Sequence, residues 1–83
     1  MVATDSNQRI ARQVGGALRR VRLERRLLSK QVASRAGISR AMLSRYEHGQ
    51  QHPSLPNLVK VLRALDCSAE DFGRHLGPWG CLP

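Results

Sequence analysis

The chain has 83 residues and only three aromatics, Trp79, Tyr46 and Phe72, which allows one small domain with a single, mainly aliphatic core. β-Branched residues never alternate over a useful run, which argues against a sheet and predicts an all-α domain. The net charge of +8 is uneven, because residues 1–53 hold eleven Lys and Arg against three acids while residues 54–83 hold three of each. A basic half joined to a neutral half points to a polyanion on one side of the molecule, with a solubilising surface as the alternative. Cys67 and Cys81 do not make a disulfide framework. With no signal-peptide pattern and no apolar run of membrane-spanning length, a cytoplasmic protein without membrane contact is expected.

Residues 1–7 are polar and read as a frayed N-terminus, with Asp5 or Ser6 available to cap the first helix. The domain proper then spans residues 8–76. Ile10, Val14, Leu18 and Val21 recur at helical spacing, with arginines largely on the other sides. Gly15 and Gly16 weaken this first helix and suggest a break or a second start near Gly15. Ser29 is the expected cap of a second helix with Val32, Ala33 and Ala36 inward, ended by Gly37. Ser39 caps a third helix running to about His48, and residues 49–53 form a loop. Ser54 caps a fourth, with Leu55, Leu58, Val59, Leu62 and Leu65 inward and Pro56 in its first turn. Ser68 caps a short fifth helix with Phe72 and Leu76 inward, and residues 77–83 form a tail stopped by Gly and Pro.

The third helix raises the functional question. Leu43 and Tyr46 anchor it, while Arg40, Ala41, Ser44 and Arg45 project from its other side. Ala33 is small where the second and third helices must cross closely, and Gly37 supplies the turn between them. A DNA major groove admits one α-helix, whose early residues reach base edges. Arg offers a fork to guanine, Ala a methyl to thymine, and Ser a donor or acceptor. Arg40, Ala41, Ser44 and Arg45 are therefore candidate base contacts, and Arg19, Arg22, Lys30 and Arg35 candidate phosphate contacts. A solvated face in an ordinary helical bundle is the bland alternative. His48 and His52 are four apart, but Gly49 and Pro53 break any helix that would align them, so no metal site is expected. The serines have capping roles and no His–acid pair flanks a nucleophile, so neither catalysis nor a cofactor is expected.

The segments "VGGALRRVR", "LLSKQVASRAGIS", "LSRYEHGQQHPSL" and "LVKVLRAL" resemble the lambda-repressor-like, XRE/Cro-type helix-turn-helix proteins, ungapped over residues 14–76. The resemblance implies a five-helix domain, usually a dimer, that binds operator DNA with its third helix. It places Arg40, Ala41, Ser44 and Arg45 at base-contacting positions, and Ser39 at the cap, where a hydroxyl often reaches a phosphate. It also implies that Arg22 and Glu47 pair, holding the Arg close to the DNA backbone. The family usually begins its second helix with Ser or Thr and then Gln; Leu28 and Ser29 stand there instead, so that Ser29 or Lys30 must supply that phosphate contact. Tyr46 replaces a common aliphatic residue, and its hydroxyl is expected at the lip of the core. The expected function is a sequence-specific double-stranded DNA-binding regulator, most simply a repressor, associated with the nucleoid. The alternative is an antitoxin or regulatory partner that binds another protein and autoregulates through DNA. A homodimer is expected, with Phe72, Leu76 and Trp79 of the fifth helix and tail near its two-fold axis.

Overall fold

Five helices follow one another in the computed structural model, which describes residues 2–76: α1 (Val2–Glu24), α2 (Ser29–Ala36), α3 (Arg40–Glu47), α4 (Leu55–Ala64) and α5 (Ala69–Leu76). α1 packs against α3 and α5, and α2 against α3 and α4. Leu18 and Val21 of α1 meet Val32 of α2, Leu43 and Tyr46 of α3, Val61 and Leu65 from α4 and its end, and Phe72 of α5 in one core. Trp79 and the rest of the tail lie outside the described residues.

α1 differs from expectation at both of its weak points. It is helical from Val2, through the stretch expected to fray, and it passes Gly15 and Gly16 without a break. Gly15 is a notch. A Cβ built on it would lie 1.8 Å from the backbone oxygen of Tyr46, so only a residue without a side chain lets α1 cross α3 this closely. A Cβ on Gly16 would meet only Arg20 Nη1, at 3.5 Å, an ordinary contact.

The helix ends follow local chemistry. The Ser39 hydroxyl accepts from the Met42 N–H at 3.0 Å and the Ser54 hydroxyl from the Asn57 N–H at 3.2 Å. α2 starts one residue earlier than expected. Leu28 takes the extended cap conformation and Ser29 is already helical, while Gln31 Oε1 accepts from the Leu28 N–H at 2.8 Å. Gln31 thereby satisfies the cap residue's own N–H, while the leucine side chain offers no acceptor to the N–H groups of the first turn. At the other end, Gly37 adopts φ 73°, its N–H bonds to the Ser34 carbonyl, and the Ile38 N–H bonds to Ala33. α1 and α4 close in the same left-handed way on non-glycine residues, Arg26 (φ 55°) and Asp66 (φ 54°). Arg25 donates to the carbonyls of Leu65 and Asp66, which adds a cation to the end of α4.

One edge of α4 sits differently from expectation, whereas Phe72 and Leu76 of α5 face inward as expected. On α4 the buried or half-buried stripe is Leu58, Val61, Leu62 and Leu65, whereas Leu55 is 73% exposed and Val59 37%. At 100° per residue, Leu55 and Val59 fall on one edge of that stripe. On α5, Phe72 is buried in the chain's own core and the half-buried Leu76 packs on that core. The apolar side of α5 thus covers its own protomer and leaves Phe72 only 5% exposed.

α5 is also pinned to α1 by polar contacts. Arg20 Nη2 donates to the His75 carbonyl at 2.8 Å. The His75 ring has Nδ1 2.9 Å from the Asp71 carbonyl and Nε2 3.0 Å from Glu24 Oε1, so both nitrogens donate only in the imidazolium form. The bond to the Asp71 carbonyl and then the Glu24 carboxylate raise the His75 pKa above the ordinary 6.5, against burial and the charge of Arg20. A raised folded-state pKa means that this contribution to stability is complete below pH 6.5 and is lost as pH rises through the raised value. Urea unfolding at about pH 6 and about pH 8 should therefore show a loss on the alkaline side that His75→Gln flattens.

A paired substitution tests the α1–α3 notch. Gly15→Ala should destabilise the domain by about 1–3 kcal/mol through overpacking, although Ala favours a helix. Gly16→Ala should be neutral or stabilising by up to about 1 kcal/mol. Denaturant midpoints of the two variants check this directly.

Candidate nucleic-acid interface

α3 is an amphipathic helix whose sides are cleanly divided. Leu43, Tyr46 and Glu47 are buried and Met42 is half-buried, while Arg40, Ala41, Ser44, Arg45 and His48 are exposed. The four base-contact candidates therefore share one solvent face of one helix. The Ser39 cap bond uses its hydroxyl as an acceptor and leaves the O–H to donate elsewhere. The backbone N–H groups of the first turn also point out of the helix start.

Tyr46 is fully buried, with its hydroxyl accepting from Asn57 Nδ2 at 2.9 Å; it does not lie at the lip of the core. Asn57, on α4, gives the buried hydroxyl a partner that an exposed rim would have supplied as water. This link ties the inner side of α3 to α4.

Glu47 is buried, and its partner is Arg22. Arg22 Nε donates to Glu47 Oε2 at 2.7 Å, Nη2 to Oε1 at 3.0 Å, and Nη1 to the Leu27 carbonyl at 3.0 Å. The side chains are 13% and 5% exposed, so this is a desolvated, bidentate pair. Hydrogen bonding to Glu47 holds the Arg22 guanidinium above its ordinary pKa, against the opposite pull of burial and with the help of the Glu47 charge. Three of the five guanidinium N–H groups are used inside the protein, and the Glu47 carboxylate balances the charge. Arg22 is thus first a brace between α1 and α3.

The remaining phosphate candidates are distributed over two helices. Arg19 is exposed on α1, Lys30 and Arg35 are exposed on α2, and Ser29 is half-buried at the first residue of α2. Ala33 is buried in α2, and Gly37 makes the turn to α3.

Three further residues, not among the sequence-derived candidates, shape this face. Gly49 (φ 71°) ends α3, and a Cβ on it would lie 2.4 Å from Arg12 Cγ and 2.7 Å from Arg12 Cα. His48 Nδ1 lies 2.8 Å from the Ser44 carbonyl and 3.3 Å from the Ser44 hydroxyl. Gln51 Oε1 accepts from Arg45 Nε at 3.2 Å. Gly49 belongs to the family-like segment "LSRYEHGQQHPSL", but its contact with Arg12 depends on the packing of α1. No described helix is long and apolar enough to cross a membrane.

An exposed basic helix, set by a short turn after a second helix and held from behind by α1 and α4, defines a helix-turn-helix DNA-binding domain. The family described as Helix-turn-helix matches residues 18–72, more than half of the chain. The chain belongs to this XRE-type helix-turn-helix family and is a DNA-binding regulator of transcription. Among solved structures it is similar to the restriction-modification controller protein C.AhdI from Aeromonas hydrophila, with 29% sequence identity and a TM-score of 0.71, over 75% of this chain and 94% of that one. No curated protein matches the sequence.

Breaking the buried brace should be costly. Glu47→Gln removes the charge that compensates the desolvated Arg22 and is expected to destabilise the domain by about 3–5 kcal/mol. The double variant Arg22→Met, Glu47→Gln should recover part of that loss, because no unpaired buried charge remains. A double-mutant cycle by urea unfolding measures the coupling.

Proposed function

We propose that the protein is a sequence-specific repressor that inserts α3 into the major groove and reads base edges with Arg40, Ala41, Ser44 and Arg45. The observation that carries this reading is the division of α3. Its inner face is locked by Tyr46–Asn57 and Glu47–Arg22, while its outer face is an exposed set of two arginines, an alanine and a serine. Arg40 and Arg45 are five residues apart and address different base pairs along the groove.

Phosphates on either side are met by Arg19, Lys30 and Arg35, by the Ser29 and Ser39 hydroxyls, and by the open N–H groups at the starts of α2 and α3. Arg22 adds one of its remaining N–H groups from behind the pair with Glu47. The likeness to a restriction-modification controller protein supports a regulatory role for this arrangement. Two copies bind two half-sites about one helical turn, roughly 34 Å, apart. The seam between them leaves out Phe72, which the protomer buries for itself.

The test is a selection of bound duplexes from random DNA, followed by titration of variants against the selected site and each of its single-base changes. Arg45→Ala should lose about 1–3 kcal/mol at the preferred site and relax the preference at one symmetric pair of positions. Arg35→Ala should weaken every duplex alike, because a phosphate contact carries no base identity. If the dimer neutralises about 6–8 phosphates, the log–log dependence of affinity on salt should have a slope of roughly −5 to −7. A uniform loss for Arg45→Ala would make it a backbone contact and refute the assignment of the reading face.

A further inference from the structure

Arg22 and Arg45 are each held by a side chain from outside their own helix, and the contrast between their partners is informative. Arg22 is gripped by a carboxylate, which cancels its charge and uses both Nε and Nη2. Arg45 is held by an amide. Gln51 Oε1 accepts from Nε alone, at 3.2 Å, and the pair is exposed. A neutral acceptor fixes the direction of the guanidinium and leaves its full positive charge. With Nε engaged, the two terminal nitrogens remain as an end-on fork, the geometry that matches O6 and N7 of a guanine.

The loop that carries Gln51 is itself fixed. The Gln50 N–H bonds to the carbonyl of Arg45 at 2.9 Å, so the chain folds back onto the residue it serves. Gly49, in the left-handed region at φ 71°, lies against the Arg12 backbone so closely that no side chain fits between them. Gln51 therefore stands one residue beyond a backbone bond to Arg45 and two beyond a contact with α1.

We propose that Gln51 is a specificity-determining positioning residue, which aims Arg45 at its base pair by occupying Nε and presenting the terminal fork to the groove. The proposal rests on the assignment of Arg45 as a base-edge contact. A free arginine loses rotamer freedom when it docks; one already oriented loses less, and the gain is confined to the base that the fork fits.

The experiment uses the full chain, the duplex selected for the unaltered protein and all single-base changes of that duplex. Gln51→Ala should weaken the preferred duplex about two- to tenfold while leaving the already mismatched duplexes at the Arg45 position nearly unchanged. The preference at that one symmetric position therefore shrinks. In an Arg45→Ala background, Gln51→Ala should have no further effect. Gln51→Glu offers a carboxylate that takes Nε and a terminal nitrogen together and cancels the charge, as Glu47 does for Arg22, so it should weaken all duplexes and also shrink the preference at the Arg45 position. In the protein without DNA, the Arg45 Nε–H should exchange with water faster in Gln51→Ala than in the unaltered chain. If Arg45→Ala relaxes one position but Gln51→Ala does not, or acts equally with Arg45 removed, the role of Gln51 is refuted and the base contact of Arg45 stands. If Arg45→Ala shows no position-specific effect, the base contact fails and this proposal fails with it.

Discussion

Where α1 crosses α3, Gly15 lets the Tyr46 carbonyl oxygen approach to a distance that any side chain would block. Seven residues further along α1, Arg22 grips Glu47 at the end of α3 with two hydrogen bonds. A third contact, Arg12 against Gly49, continues the same seam past the end of α3. These contacts set the height and rotation of α3 on the body of the domain. They decide which of its residues face solvent, and so which side chains a groove can receive. The core apolar residues supply the bulk of the burial, but apolar burial is non-directional and by itself would tolerate a rotated or shifted helix. A glycine notch and a bidentate ion pair do not, because one is a hard steric limit and the other is directional.

The charge asymmetry of the sequence acquires a spatial meaning in this frame. Arg22 is neutralised by Glu47 inside the protein, whereas Arg40 and Arg45 keep their charge on the open side of α3. In α5 the acids are answered locally: Arg74 bridges Glu70 and Asp71, and His75 reaches Glu24 on α1. The exposed Arg74 pairs add little stability on their own. They do reduce the net field of that helix, so the unbalanced positive charge belongs to the first three helices. Arg20 and Arg25 of α1 spend their donors at the ends of α5 and α4, whereas Arg40 and Arg45 stay on the open side of α3.

Several features invisible in the sequence share one origin. Phe72 reads both as an inward residue of α5 and as a contact for a second copy, and the protomer's own core takes it. Leu55 and Val59 match a helical stripe, but the stripe that α2 covers is one edge away. Tyr46 needs a hydroxyl partner, and nothing near it in sequence points to Asn57, eleven residues on. α1 and α4 end on Arg26 and Asp66 in a conformation that glycine announces and these residues do not.

What the sequence determined by itself was local or periodic. Hydroxyl caps at Ser39 and Ser54, the glycine turns at Gly37 and Gly49, and the spacing of Leu18, Val21, Leu43 and Tyr46 are short-range constraints, and they placed five helices and the outer face of α3. The resemblance of four segments to one family added the pairing of Arg22 with Glu47, which spacing alone does not give. Only the tertiary structure decided that Gly15 is a notch and not a break, that Leu28 rather than Ser29 precedes α2, and that Arg45 is held by Gln51. The physical reason is the same for the notch and for Arg45. A glycine weakens an isolated helix, and an arginine in isolation samples many rotamers; a neighbour brought in by folding changes what each contributes.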